Sequence, residues 1–136
     1  MDLALIWLHV SGNVVWIGAI LAVGVALLGK ADPKARGQIA YDIYRRLAVP
    51  AFVISFVCGA ARLGMDMRYY LKDHHWMHAK LPLALTVIGL HHVLGARARK
   101  TAQGSVQEPG NAGILTAVLA VAAIGAAFFA VLKLPD

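Results

Sequence analysis

The chain has 136 residues, 60% of them hydrophobic, a mean hydropathy of +0.67 and a formal net charge of +6 at neutral pH. A water-soluble domain breaks its apolar residues up with charge; here they come in long uncharged runs, which excludes that class. The basic excess gathers between the runs, as in loops that set membrane topology, so nucleic acid is not an expected partner, and the single cysteine, Cys58, excludes a disulfide framework and CxxC chemistry.

Four runs follow in chain order. Leu3 to Gly29 has only His9, Ser11 and Asn13 as clearly polar residues, and it lacks the basic start of a cleaved leader. A polar loop from Lys30 to Arg45 contains "ADPKARGQ", which reads as a turn around Pro33 and Gly37. The second run centres on Leu47 to Ala61 and carries Cys58, expected as a buried thiol. Loop two, "GMDMRYYLKDHHW", is aromatic and basic, and places Tyr69, Tyr70 and Trp76 at headgroup level, with His74 and His75 solvated. The third run centres on Leu81 to Leu90, loop three is the plain turn "TAQGSVQEPGNAG", and the fourth run, Ala112 to Leu132, is rich in Ala and Gly, which allows close packing in lipid.

A helix needs roughly 20 apolar residues to cross the hydrocarbon core, and all four runs reach this once Arg62, Lys80 and Arg97 snorkel. The expectation is an all-α integral membrane protein, one membrane domain over 1–136, with helices at about 3–29, 46–64, 77–97 and 112–133. Short loops make successive helices antiparallel neighbours, giving an up-down-up-down four-helix bundle. Loops one and three hold eight Lys and Arg residues, and the opposite side holds five, Lys133 among them. The positive-inside rule then puts both termini outside.

Ionisable residues within membrane segments face the bundle interior and mark function. His9, Asn13 and Trp16 recur at i, i+4 and i+7, one helical face, as though lining a cavity. In the third run, His78 and His92 share one face, and Lys80 and His91 share another to within roughly 20°. Neither pair can bind one metal, because each is spread over roughly 17 to 21 Å of helix. His9 and His78 lie near the starts of helices running the same way, so two imidazoles from neighbouring helices can ligate a haem iron. Copper or zinc would lack a third or fourth soft ligand. Pro82 deprives the His78 carbonyl of its helical partner and is expected to loosen the start of the third helix. Lys80, and Arg45 and Arg46 at the other end, suit either snorkelling or pairing with a carboxylate.

The stretch "WMHAKLPLALTVIGLHHVLGARARK" resembles the third-helix signature of the HemJ-type protoporphyrinogen IX oxidases, here Trp76, His78, Lys80, Leu81, His91 and Gly95. "LHVSGNVVWIGA" is similar to that family's first helix through His9 and Trp16, and "IYRRLAVPA" to its entry into helix two through Tyr44, Arg45 and Pro50. The resemblance implies a bacterial cytoplasmic-membrane enzyme that binds haem b and oxidises protoporphyrinogen IX to protoporphyrin IX. For a membrane oxidase a quinone is a candidate acceptor. The resemblance also implies His9 and His78 as axial ligands, and His91, Lys80 and Arg45 as catalytic residues for the porphyrin substrate or its propionates. Asn13, Trp16 and Trp76 are expected as cofactor-binding residues beside them. The sequence departs from the family at Val25, where an arginine is usual, and at Leu90, where a tyrosine is. Three readings stay open: an oxidase, a non-enzymatic haem b electron carrier of the same fold, and a CopD-like copper-handling protein, whose first helix "LHVSGNVVWIGAIL" also resembles. Membrane lipid is a partner in each, and association into a homo-oligomer is left open.

Overall fold

Hydrophobic runs this long form helices in lipid because every backbone N–H and C=O must be satisfied within the segment. The computed structural model describes residues 2–132. It contains helices α1 (Asp2–Leu27), α2 (Pro33–Ile43), α3 (Val49–Met65), α4 (Trp76–Ala102) and α5 (Ala112–Leu132). Among the described residues there is no strand. A π-helical turn, Tyr44–Ala48, joins α2 to α3 without a break, and a second one, Tyr69–Asp73, precedes α4. Among the described residues four helical spans are long and apolar enough to cross a membrane: Leu3–Leu27, Pro33–Met65, Trp76–Ala102 and Ala112–Val131. The protein is a multi-pass membrane four-helix bundle, its outer surface a belt of exposed Leu, Val, Ile and Phe.

The second span departs from expectation. A loop was expected as far as Arg45, but the helix begins at Pro33. Asp32 caps it, its carboxylate accepting from the Ala35 N–H at 3.1 Å, and Pro33 takes the first helical position. The pair read as a turn is a helix start. At 33 residues the span is roughly 50 Å long, so its first turns extend beyond a hydrocarbon core of roughly 30 Å. The third helix also keeps its course through Pro82, whose carbonyl accepts from the Thr86 hydroxyl at 2.9 Å. The predicted end of the fourth helix at 133, and Lys133 itself, lie outside the described residues.

Small residues set which helices meet. Gly12 of α1 lies against Ser55 and Ala51 of α3; a Cβ there would come within 3.0 Å of Ser55 Cβ. Gly24 of α1 takes the Thr116 side chain of α5, and Gly37 of α2 takes the backbone of Thr101 and Ala102 at the end of α4. Gly95 of α4 gives its space to the Tyr44 ring. The core runs along α1 through Trp16, Ile20, Val23 and Leu27, and meets Val87, Leu94 and Ala98 of α4 and Leu119 of α5. Cys58 is a buried free thiol.

The packing is uneven along the bundle. At the end formed by loops 28–32 and 103–111, α2 closes on α4, and Arg36 ties the loops by donating to the carbonyls of Gly29 (3.1 Å) and Gln107. Toward the other end α3 rests on α1 and α4 rests on α5, while α3 and α4 barely touch. The bundle is a wedge, shut at one end and open at the other.

Candidate functional site

The opening of the wedge is a cleft of about 540 Å³, within the roughly 300–1,000 Å³ of small-molecule sites. Ile6 and His9 line it from α1, Gly59, Arg62 and Leu63 from α3, Tyr69 and Tyr70 from the connecting segment, Trp76, Met77 and Lys80 from α4, and Ala130 from α5. Among the described residues its walls are apolar and aromatic, interrupted by His9, Arg62, Lys80 and the carboxylate of Asp66.

His9 is held on both sides. Its Nδ1–H donates to the Ser55 carbonyl at 2.7 Å, so the ring proton is on Nδ1. Its Nε2 therefore carries the lone pair, and accepts from the Asn13 amide at 3.2 Å. The Ser55 hydroxyl donates to the His9 carbonyl at 3.2 Å. Gly59 leaves room for the ring: a Cβ there would lie 2.7 Å from His9 Nδ1. A backbone carbonyl bound to one ring nitrogen fixes the tautomer and leaves the other free to ligate, an arrangement common to metal-binding histidines.

The two stripes of the third helix separate inside from outside. Lys80, Val87, His91, Leu94 and Ala98 follow the inward face: Lys80 lines the cleft and the other four are buried in the core. His78 and His92 lie on the outward face, and both are exposed. His78 Nε2–H donates to the Leu71 carbonyl at 2.9 Å, and the residue does not line the cleft. The structure therefore does not bring His78 together with His9. Met77, one position earlier, is buried and turned to the cleft instead.

Trp16 and His91 meet below the cleft, seven residues along α1 from His9, or roughly 10 Å. The Trp16 indole N–H donates to His91 Nδ1 at 3.0 Å. His91 is 0% exposed, and its ring lies 4.9 Å from Tyr44, 5.0 Å from Phe52 and 4.9 Å from His92, measured between centroids. Its Nε2 has no hydrogen-bond partner among the described residues. Arg45 is exposed on the π-helical turn within the long helix, far along it from the cleft-lining Gly59 and Arg62, beside an Arg46–Asp42 ion pair of 3.6 Å, and does not line the cleft. Trp76 is buried on the cleft wall, with Lys80 Nζ 5.8 Å from its ring centroid.

Arg62 and Tyr70 line the same cleft, yet sequence reasoning set them aside as a snorkelling cation and an interfacial ring. Arg62 Nη2 donates to the Tyr70 hydroxyl at 2.6 Å. Their signal was present in the spacing. Ser55, Gly59 and Arg62 stand at i, i+4 and i+7, one face bearing a hydroxyl, a gap and a charge. Among the described residues no three His, Cys, Asp or Glu side chains converge as a metal site would require. His9, with one ring nitrogen anchored and the other turned to the cleft, is the residue here that could hold a metal-bearing cofactor. Comparison with protein-family models, curated proteins and solved structures returns no match.

Proposed function

We propose that the protein is a HemJ-like membrane haem b protein that oxidises protoporphyrinogen IX to protoporphyrin IX in a bacterial cytoplasmic membrane. The observation that carries this reading is His9: a histidine anchored through Nδ1 to the Ser55 carbonyl, lining an apolar cleft that also holds Lys80 and Trp76. When bound, haem b supplies a one-electron redox centre to which a six-electron dehydrogenation can deliver its electrons in turn, with a quinone in the surrounding lipid as the acceptor class.

The chain's own residues then have distinct tasks. His9 would hold the iron through its Nε2 lone pair, in place of the hydrogen bond which that nitrogen accepts from Asn13. Lys80, steadied over the Trp76 ring, holds a ligand carboxylate near the mouth. Ile6, Leu63 and Met77 exclude water from a flat apolar body. Trp16 and His91 form the floor beneath the cleft rather than reaching into it. For His78 to hold the same group it would have to leave the Leu71 carbonyl and turn across the helix surface. The count of basic residues orients loops 28–32 and 103–111 to the cytoplasm and opens the cleft on the outer side.

The test is the visible spectrum of the protein purified from a haem-replete host. The wild type should show a Soret band, and His9→Ala should lose it while still inserting into the membrane. A colourless wild-type protein would overturn the reading. Rescue of a bacterium lacking its own protoporphyrinogen oxidase separates enzyme from carrier: a well-expressed, haem-loaded protein that fails to rescue is an electron carrier.

A further inference from the structure

We infer that the closed end of the bundle carries a binding site for the phosphate headgroup of an anionic phospholipid, built from Arg99, Lys100, Gln103 and Ser105. The inference goes beyond the haem reading and does not depend on it, because it concerns the opposite end of the molecule from the cleft.

α4 ends at Ala102, and the chain reverses there. Gly104, at φ +78°, takes the left-handed conformation that a reversal at a helix end needs. The Gly104 N–H donates to the Thr101 carbonyl at 3.0 Å, the Ser105 N–H to the Lys100 carbonyl at 2.9 Å and the Gln103 N–H to the Arg99 carbonyl at 3.0 Å. These bonds occupy carbonyls at the negative end of the helix, which would otherwise oppose an anion. The same turn sets Ser105 and Val106 beside the last turns of α4, where they line a groove of about 510 Å³ with Ala96, Arg99, Lys100 and Gln103. The four helical residues stand at i, i+3, i+4 and i+7, one face, and all are exposed. Among the described residues neither Arg99 nor Lys100 forms an ion pair. Glu108, the carboxylate of the same loop, does not line the groove. Two cations with an amide and a hydroxyl supply the charge-assisted donors that a phosphodiester accepts. Position favours lipid as its source. The groove lies at the end of a membrane span, and its face continues along α4 through the exposed Gly89 and Val93, seven residues before Ala96 and Lys100. A headgroup held here therefore has lipid-facing surface along which its acyl chains can lie. The count of basic residues turns this end to the cytoplasm, the side on which basic pockets meet anionic headgroups.

Native mass spectrometry of the full chain in a neutral detergent, with phosphatidylglycerol and phosphatidylcholine of matched acyl chains, tests the site. The wild type is expected to retain phosphatidylglycerol roughly tenfold better than phosphatidylcholine, as two basic residues at a membrane surface would. Arg99→Gln/Lys100→Gln should bring the two lipids to within about twofold of one another. Lys30→Gln/Lys34→Gln removes the same charge from the same end of the bundle but outside the groove, and should keep the preference. A wild type without preference overturns the site. Equal loss in the two double variants also overturns it, and assigns the preference to surface charge in general. Inorganic phosphate in large excess should leave the phosphatidylglycerol bound. Its displacement by phosphate overturns the lipid assignment and leaves a site for the free anion.

Discussion

His9 and His78 are chemically the same side chain, and their surroundings give them different prospects. His9 is anchored by a buried serine and faces the cleft, while His78 is spent on a backbone carbonyl at the surface. In a haem-loaded preparation His78→Ala is accordingly expected to leave the Soret band in place, and His9→Ala to remove it. His91 has the opposite problem, with one nitrogen satisfied by Trp16 and the other buried without a partner among the described residues. Trp16→Phe would leave both nitrogens unsatisfied, at about 1–3 kcal/mol of stability. The double variant Trp16→Phe/His91→Leu, which leaves no polar atom stranded, should unfold later than Trp16→Phe alone in a detergent unfolding series. A sequence lists these histidines but cannot say which nitrogen finds a partner, since that depends on Ser55, 46 residues away, and on Trp16, 75 residues away.

The legible part of each helix is its periodicity. On α1 the stripe of His9, Asn13 and Trp16 continues through Ile20, Val23 and Leu27, which are buried, and the His9–Asn13 hydrogen bond follows from i, i+4 spacing alone. On α4 the same geometry yields two stripes of comparable polarity. The inward one follows from Val87, Leu94 and Ala98, whose small and branched side chains fit between helices. The start of the second span shows how a local signal is misread: Asp32–Pro33 serves turns and helix N-termini equally well. What makes it a helix is Gly37, whose missing side chain lets α2 lie on the backbone of Thr101 and Ala102. Gly37→Val forces a branched side chain into that backbone, and is expected to cost about 1–3 kcal/mol. The thermal midpoint in detergent should fall accordingly, whereas Gly64→Val, at a position with open space around its Cβ, should change it little.

The whole molecule adds the wedge. Its closed end is held by the α2–α4 contact and the arginine ties across the loops, and its open end exists because α3 and α4 each pack on a different neighbour. The belt of outward Leu, Val, Ile and Phe belongs in lipid, and the buried native thiol of Cys58 makes the chain a quiet background for labelling. A cysteine introduced at Gln103 in the loop of the closed end should react with a membrane-impermeant maleimide only after the cytoplasmic side is exposed. One introduced at Asp66, beside the cleft, should react from the outside. The reverse pattern would invert the proposed orientation while leaving the bundle as it is.

The sequence by itself determined that this is a helical membrane protein with four spans, because hydrocarbon leaves an apolar chain no other way to satisfy its backbone. It also determined which polar residues share a helix face, because 3.6 residues per turn is a local property. Only the tertiary structure decided which face turns inward, that Lys80 and His91 are inside while His78 and His92 are outside, and that Arg62 and Tyr70 join His9 around one cleft. Those outcomes depend on the rotation of each helix about its axis and on which helices pack together. Both are set by small-residue contacts such as Gly12 on Ser55, Gly24 on Thr116 and Gly37 on Ala102, between residues far apart in the chain.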